Sequence, residues 1–410
     1  MKVIDGHRPL GWQSSFALMS AMFVVAVGYG IVLPVLPFLV ERLARMGEPE
    51  TLSWHTGLLT GTYALALFLF APLWGRVSDR YSRPRILLLG LGGFASALTL
   101  FALVDSLPLL YLGRFLSGVF ASAVTPVAYA FIGDHSPTKE WRARRFALLN
   151  AAGTAGFFVG PMLGGLAIFG AAQILPEAVG AGITVPFLAT SGLALLAGMM
   201  VWWLLPTADH LQTLPIATPK TRDGQILIIR ILSISFVTAL AVGAFEVGLS
   251  LRGKQVLDLN AYQIGLMFTE CSLVMFVAQA LVFSPLIKVE RTRYLIIPSL
   301  AVLAAGLAMV PFANGFITTI LVVGMVAASA GVLSPIATYW ISLSAGKTQG
   351  AELGLQTSAA SLGQAVGAAA AGLSFDFAAM PNASFTLTAV LVTAGLVGSI
   401  GLPRFLKKVS

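Results

Sequence analysis

Long apolar runs alternate with short charged clusters along the whole chain. Twelve runs can be read, at about residues 14–39, 54–78, 84–104, 108–133, 144–169, 182–205, 226–250, 261–287, 293–312, 316–343, 351–373 and 383–405. A hydrocarbon core near 30 Å is crossed by about 20 apolar helical residues, so each run is long enough to span. Gly and Pro inside the runs do not argue against helices, because neighbouring helices satisfy the backbone groups that a kink releases. The pattern predicts an all-α membrane protein with 12 transmembrane helices.

Composition narrows the class further. Of 410 residues, 57% are apolar and 10% are charged, against about 25% charge in a soluble protein. Two or three water-exposed domains could not be covered with so few charges. Disorder and a coiled coil fail because apolar residues dominate without sustained heptads, and a disulfide scaffold fails because Cys271 is the single cysteine.

Charge sets the orientation. The N-terminus and the even-numbered loops hold twenty of the 25 basic residues, among them Arg76, Arg80, Arg83 and Arg85, then Lys139, Arg142, Arg144 and Arg145. The other side holds Arg42, Arg45, Arg252 and Lys254. By the positive-inside rule both termini are cytoplasmic, in a multi-pass protein of the cell membrane. The net charge of +8 borders spans and forms no groove-sized patch, so nucleic acid is not an expected partner. The first apolar run is span-length, with Lys2 and Arg8 before it, and reads as a span, not a cleavable signal peptide.

The least apolar interior stretch, 206–225, divides the chain into an N-terminal six-helix bundle (1–205), a central cytoplasmic loop and a C-terminal six-helix bundle (226–410). A shift of 208 lays the segment from Gly57 over that from Gly265, and Arg83 and Arg85 over Arg291 and Arg293. A shift of 207 lays Gly156, Gly160 and Gly164 over Gly363, Gly367 and Ala371. The fifth span of each half thus carries a face of small side chains where helices can approach closely. Duplicated halves around a midplane site are the plan of secondary transporters.

Three motifs carry a family resemblance. GRVSDRYSRPR, Gly75 to Arg85, resembles the cytoplasmic signature of the major facilitator superfamily and departs from it at Val77, Ser82 and Pro84. LGRFLSGVFASAVTP in span four contains Arg114 and Gly118, and GTAGFFVGPMLGG, Gly153 to Gly165, resembles the fifth-span motif of drug/proton antiporters. The resemblance covers essentially the whole chain and implies two pseudo-symmetric bundles and export in exchange for protons. It further implies that Asp79 faces the start of span eleven and that Arg83 pairs with Asp134, closing a cytoplasmic gate. Gly160 and Pro161 join that gating set, since Pro161 interrupts the helix ladder among glycines that permit a bend; a purely packing role for the glycines stays open. Tetracycline-type exporters of the superfamily carry an acidic residue in span one, where this chain has Val25.

Charged groups inside spans are costly and are functional candidates by default. Arg114, Glu246 and Glu270 are three such groups, about 9, 6 and 13 Å from the outer helix ends at 1.5 Å per residue. Proton antiport needs a carboxylate that is neutral in a dry cavity and charged in a wet one. Glu270, the deeper, is the first choice for proton coupling, and Glu246 the second. Glu246 could equally pair with Arg252 at the interface. Arg114 could bind an anionic substrate or serve as a fixed cation beside a carboxylate.

Tyr29, Tyr63, Tyr129, Asn150, Gln279, Tyr339, Trp340, Gln356 and Gln364 are polar candidates for the lining of a substrate cavity, each with helix packing as the alternative. His7, His55, His135 and His210 fall in loops or the tail, which leaves no intramembrane histidine relay. Asn382 to Ser384 match a glycosylation acceptor. No metal-binding, nucleotide-binding or Ser/His arrangement is found, so neither an enzyme nor a cofactor is expected. The expected partners are a small organic compound (a drug-like molecule or a metabolite such as a siderophore), protons and the lipid bilayer, with the chain a monomer. Proton-coupled import on the same scaffold is the alternative direction.

Overall fold

The computed structural model describes residues 10–44, 49–103, 106–174, 179–206, 222–282, 289–344, 349–375 and 383–402. Lys2, His7, Arg8, Arg45, His210, Lys220, Lys288, Lys347, Asn382, Arg404, Lys407 and Lys408 lie outside the described residues. The described residues form twelve α-helices and no strand. They are α1 (Trp12–Ala44), α2 (Pro49–Arg80), α3 (Arg83–Ala102), α4 (Leu107–Asp134), α5 (Lys139–Ile174) and α6 (Val179–Leu204), followed by α7 (Arg222–Gln255), α8 (Ala261–Val282), α9 (Ile296–Met309), α10 (Phe316–Ser344), α11 (Gln349–Ser374) and α12 (Ala383–Ser399). Short 3₁₀ segments at Val289–Leu295 and Val310–Phe312 flank α9.

Ten helical segments are long and apolar enough to cross a membrane. The protein is a multi-pass, all-α membrane protein. The other two are α12, with 17 residues, and α11, whose sequence is dominated by Ala, Gly, Ser and Leu. Prolines sit inside α1, α2, α4, α5, α6 and α10 without ending them. Leucines such as Leu65, Leu69 and Leu195 point outward, as do Trp202 and Trp203 at the end of α6. Outward apolar side chains suit a lipid surround, and tryptophans at a helix end suit its interface.

Two helix pairs are drawn together by glycine. Along α5, a Cβ on Gly156, Gly160 or Gly164 would sit 2.2, 2.7 or 2.7 Å from the carbonyl oxygens of Phe23, Val27 and Ile31 on α1. Along α11, a Cβ on Gly363 or Gly367 would sit 2.1 Å from the Phe236 or Leu240 carbonyl oxygen of α7. Such distances exclude any side chain, so the backbones touch directly. Between the first six and the last six helices, α2 lies along α11 and α5 along α8. Gly57 faces Gly372 in the first contact, and Gly265 faces the Pro161 carbonyl in the second.

Both ends of these seams are tied. At one end Asp79 Oδ2 accepts the backbone N–H of Ala351 (3.0 Å), and Arg142 donates to the Ser342 carbonyl (3.2 Å). At the opposite end α7 docks on α1 and α2. Lys254 donates to Glu41 (2.6 Å) and Gln255 to the Ser53 hydroxyl (3.1 Å), while the Ser250 hydroxyl donates to the Leu33 carbonyl (3.3 Å).

Helix ends differ from the sequence expectation where charges are absorbed by the protein. Span seven was expected to stop near 250, yet α7 runs to Gln255. Arg252 is buried and donates to the Ala313 carbonyl at 2.9 Å, and Lys254 is spent on Glu41. Span two was expected from 54, but Pro49 opens α2, a position where a missing N–H costs nothing. His55 lies on this helix and not in a loop, with Nδ1 3.0 Å from the Tyr111 hydroxyl.

Candidate functional site

The buried polar groups of α1, α2, α4, α7 and α11 converge at one place. Arg114 on α4 is 2% exposed, a burial that an arginine tolerates only with compensation. Its guanidinium lies over the ring of Tyr63 (4.7 Å to the centroid) and over that of Tyr29 (5.6 Å). Its Nε reaches the Leu59 carbonyl at 3.5 Å, and its Nη2 is buried without a hydrogen-bond partner. The two tyrosine rings are 5.1 Å apart, and Phe157 on α5 stacks behind Tyr29 at 5.9 Å. Aromatic faces attract a desolvated cation, so this cage offsets part of the burial cost.

Across from the cage stands Glu246 on α7, 5% exposed. The Tyr29 hydroxyl donates to Glu246 Oε2. Gln364 Nε2 on α11 donates to the same oxygen at 3.1 Å and to the Tyr29 hydroxyl at 2.9 Å. One carboxylate oxygen thus joins α1, α7 and α11. Arg114 and Glu246 form no ion pair; the Tyr29 ring stands between them and touches both. When Glu246 is ionised, the cluster sets one positive against one negative charge through an intervening phenol. Such charge-assisted hydrogen bonds are the strong ones, and losing a partner leaves a costly orphan.

Glu246 does not pair with Arg252. The two are six residues apart, which on a helix of 3.6 residues per turn puts them on different faces, and Arg252 turns to the carbonyls of Pro311 and Ala313. Glu246 lies nine residues before Gln255, about 13 Å from the helix end at 1.5 Å per residue.

Glu270 lies nine residues into α8 and shares no hydrogen bond or ion pair with the cluster. Its Oε1 faces Gly324 on α10, where an added Cβ would lie 3.3 Å away, and its Oε2 is buried without a hydrogen-bond partner.

Of the other polar candidates, Tyr29, Tyr63 and Gln364 join Arg114 and Glu246, and the rest lie elsewhere. The Tyr129 ring meets Phe146 edge-on at 4.8 Å, and Asn150 donates to the Phe146 carbonyl of its own helix. Gln279 on α8 accepts from Thr154 on α5 (3.2 Å). Trp340 is 1% exposed and gives its indole N–H to Thr292 at 3.2 Å, with Tyr339 beside it at 5.8 Å between centroids. Gln356 is buried on α11. Phe157 is part of the cluster and carries no polar atom that sequence reading could flag.

The second charged cluster lies at the Asp79 end. Arg83 Nη2 donates to Asp134 Oδ2 at 2.7 Å and to Asp79 Oδ1 at 3.2 Å. The other oxygen of Asp79 takes the Ala351 amide, one of the N–H groups that the first turn of a helix leaves unsatisfied. Gly160 and Pro161 lie at the triple contact of α1, α5 and α8. The Pro161 ring would meet a Cβ on Gly30 at 2.8 Å, and the Pro161 carbonyl would meet one on Gly265 at 2.8 Å. Among the described residues no group of three or more His, Cys, Asp or Glu is placed to hold a metal.

Comparison with known proteins places this geometry in context. Residues 18–368 match the family profile described as Major Facilitator Superfamily. The chain is 28% identical over 371 residues to Multidrug resistance protein 2 of Bacillus subtilis, covering 88% of each chain. It is 26% identical over 366 residues to the Quinolone resistance protein NorA of Staphylococcus aureus, covering 88% of this chain and 89% of the other. It is 30% identical over 306 residues to the class C Tetracycline resistance protein of Escherichia coli, covering 72% and 73%. In fold it is similar to the human organic anion transporter MFSD10 (TETRAN), with a TM-score of 0.74 at 19% identity, over 95% of this chain and 99% of that one.

Proposed function

The chain belongs to the Major Facilitator Superfamily and is a membrane transporter, not an enzyme; we propose that it exports small amphipathic organic compounds from the cell in exchange for protons, with Glu246 carrying the proton. The units that move are residues 1–205 and 226–410, rocking about the buried cluster with both termini in the cytoplasm and the Asp79 end facing inward. Drug-resistance proteins among the relatives support a drug-like substrate.

One observation carries the coupling. Tyr29 belongs to the first half, Glu246 and Gln364 to the second, and a single carboxylate oxygen holds all three. When Glu246 is ionised it accepts from both donors and balances the charge of Arg114. A proton on Glu246 removes that balance and weakens both charge-assisted bonds, so the tie between the halves loosens. Ligand occupancy and protonation then act on one junction between bundles, which is what exchange by alternating access requires. Arg114 stays charged throughout and holds the tyrosines in place, and its free Nη2 is the donor available to an acceptor group on the solute. The Asp79, Arg83 and Asp134 cluster holds the cytoplasmic side shut while the outer side opens, with Gly160 and Pro161 at the bend of α5.

Counterflow in proteoliposomes with an imposed pH gradient tests the direction. Export requires the labelled compound to move against the proton flow. Movement of the compound with the protons would establish import and overturn the proposal.

A further inference from the structure

Glu270 takes no part in the junction of Tyr29, Glu246 and Gln364, and it is a costly group to leave unused. A carboxylate inside a span is tolerated when it pairs with another group or faces water, yet Oε2 of Glu270 is buried without a hydrogen-bond partner. Neither α8 nor α10, whose Gly324 it faces, contains a Lys, Arg or His. Its surroundings open toward lipid. Residues three and seven apart share one face of a helix. On α8, Leu273 and Val277 follow Glu270 at those spacings, each about half-exposed; on α10, Leu321 and Ile317 precede Gly324 at the same spacings and are largely exposed. Glu270 is itself partly exposed. A Cβ on Gly324 would lie 3.3 Å from Glu270 Oε1 and within 4 Å of no other side chain, so the strip of α10 beside the carboxylate is bare.

We propose that this seam of α8 and α10 is a docking site for amphipathic organic cations, which reach it from the bilayer and are held there by Glu270 before transport. The proposal rests on the reading of the chain as an exporter of amphipathic compounds and gives one class of them a place of entry. Depth agrees with that occupant. Both helices start at the end where Arg252 holds the Ala313 carbonyl. Glu270 lies nine residues into α8 and Gly324 eight residues into α10, about 13 and 12 Å from those starts, a level inside a hydrocarbon core about 30 Å thick. An amphipathic cation enters that layer by its apolar body, which Leu273, Val277, Ile317 and Leu321 match. Its charge then supplies the counter-ion that α8 and α10 do not carry. Away from water two unit charges attract several times more strongly than in it, so the carboxylate holds a cation, repels an anion of the same shape and gives an uncharged compound no ion pair.

The test uses the full-length protein in phosphatidylcholine nanodiscs, with empty discs as the background. Tetraphenylphosphonium and tetraphenylborate share a shape and differ in the sign of their charge. Glu270→Gln keeps the side chain's shape, and it is expected to weaken phosphonium binding about ten-fold, a modest effect for an ion pair away from water, without weakening borate binding. Glu270→Asp, which keeps the charge, retains most of the phosphonium affinity. A second probe reports the place: ethidium bound to the wild type is quenched by acyl chains brominated at mid-chain, and Glu270→Gln loses that quenched fraction. Equal phosphonium affinity in wild type and Glu270→Gln, an equal loss of cation and anion, or bound ethidium that brominated chains do not quench overturns the proposal. Discs carry no proton gradient, so these results stand apart from the counterflow that decides the direction of transport.

Discussion

The hydroxyl of Tyr29 on α1 donates to the carboxylate of Glu246 on α7, and that hydrogen bond crosses from the first six helices to the last six. It lies beneath the guanidinium of Arg114, so a change of charge on Glu246 is felt by a cation and by a helix of the opposite half together.

Glu246→Gln keeps the shape and one hydrogen bond but removes the titrating group. Gradient-driven transport in proteoliposomes should be lost while ligand binding, followed by thermal shift, survives. Glu270→Gln is the contrasting variant. Its carboxylate touches no residue of the cluster, so transport should persist there, and a reversed pattern of the two variants would move the proton to α8.

Arg114→Lys keeps the charge but loses the planar group that covers two rings. An ammonium cannot stack on both tyrosines or reach the Leu59 carbonyl in the same geometry. Transport should fall well below wild type at normal expression, and a Lys variant that transports normally would reduce Arg114 to a simple counter-charge.

Gly160→Val forces a side chain against the Val27 carbonyl, where even a Cβ lies at 2.7 Å. Overpacking of this kind costs about 1 to 3 kcal/mol, and the melting temperature should drop by several degrees. Gly92→Val, at a site where a Cβ meets nothing within 4 Å, should leave it nearly unchanged.

Asp79→Asn weakens the links to Arg83 and to the Ala351 amide. Hydrogen bonds to charged groups contribute about 1.5 to 3 kcal/mol, so the cytoplasmic side should open roughly ten-fold more often. A reporter is at hand in Ser358, buried and bonded to the Phe68 carbonyl at 2.9 Å. Replaced by Cys in a Cys271→Ser background, it should react with maleimide faster once Asp79 is changed. An unchanged labelling rate would remove the cluster from the gate.

Much of the fold was legible because lipid leaves few choices. Apolar runs of span length had to be helices, and the spacing of Gly156, Gly160 and Gly164 marked the face that α1 approaches. The charged signature put Asp79, Arg83 and Asp134 in view, and the structure brings them together. A charge, however, does not always end a span. Arg252 and Lys254 are satisfied inside the protein, so α7 continues past them and the distance from Glu246 to the helix end is twice what the apolar run implied. The partner of Glu246 was equally hidden, since Tyr29 is over 200 residues away in sequence and only the packing of α1 on α5 and of α7 on α11 turns both toward the same spot. Glu270 stood out in the sequence for its apolar surroundings, which say nothing of whether other polar groups come near.

The two ends are fastened by unlike means. Asp79 and Arg83 are largely enclosed, whereas Glu41, which holds Lys254 at the other end, is 60% exposed. Dissolved ions screen exposed pairs far more than sheltered ones. Brine should therefore ease the Glu41 end ajar while the Asp79 end stays bolted, making salinity a silent regulator of which way the resting protein looks.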